Sequence, residues 1–68
     1  MNLITYQALL ANPQNIAEVK SRIRDVVRVG GRVEMAPPTA AGMVLILLHL
    51  PADISPAQLF PTIPFYPL

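Results

Sequence analysis

Cysteine is absent from this chain. That excludes a disulfide framework and any thiolate metal site. Histidine occurs once, at position 49, so a zinc site built with carboxylates would need ligands from another chain. Charge is scarce as well: 13% of residues are charged, against about 25% in ordinary soluble domains. The formal net charge of +1 gives little long-range steering toward nucleic acid or anionic lipid. Long hydrophobic runs are missing too. The longest, Ala40–Leu50, falls short of the ~20 residues needed to cross a bilayer. Gly42 and His49 interrupt it, and Pro37, Pro38 and Pro51 bracket it. The opening MNLITYQALL lacks the positively charged start of a signal peptide. These absences set three expectations: no membrane span, no cofactor and a cytoplasmic location.

Groups for catalysis are equally few. Ser21 and Ser55 are the only serines, and Glu18, Asp25, Glu34 and Asp53 the only carboxylates. Ser21 falls on a helix exterior and Ser55 reads as a helix cap. Glu18 and Asp25 are taken up by helix pairs. His49 could be set against Asp53 as a base or half a metal site. The favoured reading is a histidine at a strand end, bonded to backbone or water. No nucleophile, base and orienting acid assemble with support from spacing. The chain is therefore expected not to be an enzyme.

What is plentiful is apolar surface, at 53% of 68 residues. A chain of this length makes one domain, 1–68, and buries only about 60% of its unfolded surface. Small domains compensate with disulfides, metals or oligomerisation. Only the third route remains open.

Along the chain, residues 2–10 alternate as a strand, with Ile4, Tyr6, Ala8 and Leu10 on one face. Asn12-Pro13 is a cap followed by a first-turn proline. Ile16, Val19, Ile23, Val26 and Val27 then recur at helical spacing, predicting one main helix over 13–29. Gly30 and Gly31 end it. Arg32–Ala36 alternates again as a half-exposed strand, closed by Pro37-Pro38. Met43–Leu50 is apolar on both faces: Val44, Ile46, Leu48 and Leu50 on one, Met43, Leu45, Leu47 and His49 on the other. Such a strand is central and covered on both sides. Ser55-Pro56 opens a short helix over 56–60. Residues 61–68 form a proline-rich C-terminal tail or edge strand.

This order predicts an α+β fold, a small ferredoxin-like βαββ(α)β sandwich with an antiparallel sheet. Right-handed crossovers place the first strand beside the third, with the second and fourth at the edges. Two helices cover one sheet face. The other face keeps large aliphatic side chains, each worth roughly 1.5–3 kcal/mol when buried. Leaving four of them wet would forfeit a sum comparable to a small domain's whole stability, about 5 kcal/mol or more. Something is expected to pack there, and a symmetric copy is the commonest solution.

The expected function is a non-enzymatic binding or assembly module that self-associates through that face, as a dimer. The candidate partner-binding residues are Met43, Leu45, Leu47, His49, Phe65 and Tyr66. One alternative is a module that binds another protein through the sheet face or the tail. The layout resembles that of inhibitory propeptides of subtilisin-like proteases. Those share a glycine pair between helix and second strand, here Gly30-Gly31, and a free C-terminal tail. The resemblance implies a protease-inhibitor role at the level of fold alone. A second alternative is weak binding of nucleic acid or phosphate by a basic helix carrying Lys20, Arg24 and Arg28. It is disfavoured. Gly30-Gly31 ends a helix rather than opening one, and the inner strands offer one aromatic, Tyr6, for stacking bases.

Overall fold

Alternating residues at the start of the chain form strand β1 (Leu3–Leu10) in a computed structural model that describes residues 2–68. Its partner is the most apolar segment, β3 (Val44–Pro51), one residue later at each end than the sequence pattern suggests. They pair antiparallel over eight residues, from Leu3 opposite Pro51 to Leu10 opposite Val44. β2 (Arg32–Met35) pairs with the other side of β3, and β4 (Tyr66–Pro67) with the other side of β1. The sheet is antiparallel, with order β2-β3-β1-β4. β1 and β3 are thus central, and the charged and proline-bearing strands lie at the edges. The fold is α+β: four antiparallel strands and a few short helices.

Register decides which side chains share a face. Opposite residues in an antiparallel pair project to the same side. Ala8, Leu10, Val44, Ile46, Leu48 and Leu50 therefore project together, and all are buried. The helices supply Val19 and Val26, and the C-terminal segment supplies Phe60 and Ile63. Ile46, Leu48 and Leu50 are fully buried. Each contributes roughly 1.5–3 kcal/mol of transfer free energy.

The helix expected over 13–29 is two helices, α1 (Pro13–Ser21) and α2 (Ile23–Arg28). Asn12 caps the first, its side-chain oxygen accepting from the Gln14 N–H at 2.8 Å. Arg22 breaks the run with φ −108° and ψ 6°, and its N–H bonds back to the Val19 carbonyl. The apolar stripe loses its alignment there. Val19 and Val26 stay in the core, but Ile23 is 36% and Val27 60% exposed. The end of α2 follows the glycine signal closely. The Gly30 N–H donates to the Val27 carbonyl and the Gly31 N–H to the Val26 carbonyl, while Gly30 takes φ +90°. That is the two-bond helix stop a left-handed glycine permits.

The short helix α3 runs over Pro56–Leu59, one residue less than 56–60. Ser55 stands at its start, and the Ser55 N–H donates to Gln58 Oε1 at 2.6 Å. The tail is not loose. Ile63 is buried, Phe65 packs on Phe60 with centroids 5.4 Å apart, and the Leu68 N–H donates to the Thr5 carbonyl. No helix among the described residues is long and apolar enough to cross a membrane.

Candidate functional site: the open sheet face

The sheet face turned away from the helices carries Leu3, Thr5, Gln7 and Leu9 from β1 and Leu45, Leu47 and His49 from β3. β2 adds Arg32 and Glu34, and β4 adds Tyr66 opposite Gln7. Among the described residues, no element covers the apolar side of this face. Leu9 is 55%, Leu45 36% and Tyr66 62% exposed. Exposed large apolar groups gathered on one surface mark a docking surface more often than scattered ones do.

The same face also carries Leu3, 37% exposed, Leu47 and a group of polar side chains tied together across the strands. His49 is the one buried polar residue among the described residues, at 9% exposure. Its Nδ1 lies 2.8 Å from Thr5 Oγ1 on β1, and its Nε2 lies 3.0 Å from Glu34 Oε2 on β2. An ionised carboxylate only accepts, so Nε2 carries a proton and donates to Glu34. In neutral imidazole, Nδ1 then accepts from the Thr5 hydroxyl. The three side chains clamp β1, β3 and β2 across the sheet. The hydrogen bond from His49 is the main reason the Glu34 carboxyl sits below the usual carboxylate range. Partial desolvation opposes it, and the nearby Arg32 charge adds to it. Hydroxyl, imidazole and carboxylate in this order can activate a nucleophile. Here they lie on a strand surface, and the hollow on this face is lined by Gln7, Leu9, Leu45, Pro64 and Tyr66 among others, not by these three.

The residues singled out in the sequence do not all converge. Leu45 and Leu47 lie on the open face, with Tyr66 beside them. Met43 precedes β3 and closes a loop: its N–H donates to Thr39 Oγ1 and its carbonyl accepts from the Thr39 N–H. Phe65 turns to the core side, against Phe60. His49 belongs to the polar half, and its bonds go to Thr5 and Glu34 rather than to backbone, water or Asp53. The far side of β3 is thus less bare than its sequence implies, and Leu9 and Tyr66 carry more of the exposed apolar surface. The clamp escaped the sequence reading because it depends on register between strands far apart in the chain.

The basic residues also divide. Lys20 and Arg24 line one shallow hollow with Ile23 and Val27, while Arg28 lies 3.6 Å from Asp25. Arg22 stands 3.9 Å from Glu18, so that helix pair is an ion pair without a hydrogen bond. Among the described residues, no three histidine, aspartate or glutamate side chains gather as a metal site would require.

Compared with protein-family models, with curated proteins and with solved structures, the chain matches none of them.

Proposed function

We propose that this chain is a ferredoxin-like assembly module that pairs with a second copy through its open sheet face, and that it acts by binding rather than catalysis. The observation carrying this reading is the exposure of Leu9, Leu45 and Tyr66 on one uncovered side of a two-faced apolar sheet. A second copy is the occupant that the charges favour. Arg32 and Glu34 lie two residues apart on the same face of β2. A two-fold axis lying between the two faces and crossing the strands at the level of Val33 would set each Arg32 near the other copy's Glu34 and each Leu9 over the other copy's Leu3, so the surface complements itself. The alternation of apolar β1–β4 and charged β2 also fixes the orientation of the pair.

Area limits the strength of the pairing. Two strands of eight residues, one of four and one of two, spaced about 4.8 Å apart, offer roughly 350 Å² per copy. A total of about 700 Å² lies below the standard interface size, so the pairing is expected to be weak and reversible. A cysteine-free chain suits a reducing cytoplasm. The protease-inhibitor alternative needs a free tail, and the bond from Leu68 to Thr5 removes its support. Binding of phosphate or nucleic acid is weakened by the pairing of Arg28 with Asp25.

Sedimentation equilibrium over a concentration series tests the proposal. The expected result is a reversible monomer–dimer equilibrium that shifts toward dimer as concentration rises. A monomeric mass up to about 1 mM protein, where a pairing of only about −4 kcal/mol would already show, would overturn it.

A further inference from the structure

On the opposite side of the sheet, a hollow of about 480 Å³ opens between α1 and the loop joining β2 to β3. Ile16, Met35, Ala36, Pro38 and Val44 wall it, and Lys20 is its only charged side chain. The volume lies within the ordinary range for small-molecule pockets, about 300–1,000 Å³. Its walls are fixed. Ile16 and Met35 pack on the core, and Val44 is buried within it. The loop is held by Thr39, whose N–H donates to the Met43 carbonyl at 2.8 Å and whose carbonyl accepts from the Gly42 N–H at 2.9 Å. Pro37 and Pro38 restrict its backbone further.

The chemistry of the hollow is one-sided: aliphatic walls with a single cation at the rim. No carboxylate lines it, and Lys20 makes no ion pair among the described residues. A neutral apolar ligand would gain nothing from that water-exposed ammonium, and a phosphate would find no second donor. We propose that the hollow binds an aliphatic carboxylate of medium chain length, its tail against Ile16, Met35 and Val44 and its carboxylate at Lys20. The site lies on the helix-covered side of the sheet, so it stands independently of self-association through the open face.

Titration of the ¹⁵N-labelled protein with octanoate, hexanoate and 1-octanol, read by amide chemical shifts, tests this. Octanoate should give saturable shifts centred on Ile16, Lys20, Met35 and Val44. Each methylene that enters an apolar site is worth about a fourfold gain, so hexanoate should bind roughly 15-fold more weakly. An exposed ion pair is worth only a few-fold, so 1-octanol should bind about threefold more weakly than octanoate. Lys20→Met lies on the surface and should erase the difference between acid and alcohol while keeping the alcohol bound. Non-saturating shifts, shifts centred on Leu9, Leu45 and Tyr66, or indifference to chain length would overturn the proposal. So would an unchanged preference for acid over alcohol in Lys20→Met.

Discussion

Gly31 and His49 meet backbone to backbone: a Cβ on Gly31 would stand 2.6 Å from the His49 carbonyl oxygen. Leu50 and Val26 side-chain carbons would lie 2.9 Å away on either side. This contact brings the end of α2 down onto the central strand, and a strand carbonyl cannot shift without breaking its ladder. Gly31→Ala is therefore expected to destabilise the fold by roughly 2–4 kcal/mol, by overpacking. Gly30→Ala meets only Pro51 Cγ at 3.7 Å, an ordinary contact, but must hold φ +90°. It should cost about 1–2 kcal/mol. Urea unfolding of the two variants measures the difference. A smaller loss for Gly31→Ala than for Gly30→Ala would contradict the close contact.

The contact also marks what the sequence could and could not reveal. Gly30-Gly31 announced the end of the helix, because left-handed backbone favours glycine. The strands β1 and β3 were legible because period-two alternation and a dense apolar run are local signals. The break at Arg22 was not, since no proline or glycine stands there and the apolar spacing runs through it. Exposure of Ile23 and Val27 follows from that break. The Thr5–His49–Glu34 clamp lay beyond reach for a different reason. Thr5 and His49 are 44 residues apart, and their meeting depends on one register among several that the alternation permits. Alternation places Leu9 on the face opposite Ala8 and Leu10, but its exposure depends on β4 being only two residues long.

Glu34 links the clamp to pH. Its carboxyl is held below its ordinary value of 4.5, chiefly by the hydrogen bond from His49. A carboxyl with a lower pKa in the folded chain than in the unfolded one stabilises the fold when ionised. That contribution is complete above 4.5 and is lost as pH falls through the lower folded value. Glu34→Gln should therefore lower the Tm at about pH 6 and leave it nearly unchanged at about pH 3. The Glu34 side chain is 52% exposed, so added salt should shrink the effect. Equal losses at both pH values would show that the clamp acts by shape rather than charge.

The C-terminal segment behaves as part of the core. Ile63 is 4% exposed, and Ile63→Ala should cost about 2–4 kcal/mol for the lost burial and the cavity left behind. Truncation after Pro61 removes Ile63, the Phe65 ring against Phe60 and the Leu68 bond to Thr5 together. A small domain has little stability to spare, so the truncated chain should lose cooperative thermal unfolding by circular dichroism. Retention of a sharp transition would instead return the tail to the role of a detachable recognition segment.

Leu45 offers the sharpest separation of assembly from folding. It lies toward one end of the open face, opposite Leu9, at 36% exposure, while its neighbour Val44 points into the core at 5%. Leu45→Glu introduces a charge that a lone copy can leave in water and a paired copy must bury. Self-association should weaken at least tenfold, with the Tm of dilute monomer changed by only a few degrees. Arg32→Glu should weaken it by a smaller factor, because it replaces attraction with repulsion at the rim, and added salt should narrow that gap. Arg24→Glu, on α2 and away from the face, should leave the association unchanged. Analytical ultracentrifugation of the three variants gives the ranking. A loss confined to Arg24→Glu would move the interface to the helices, where Ile23 and Val27 are the exposed apolar pair.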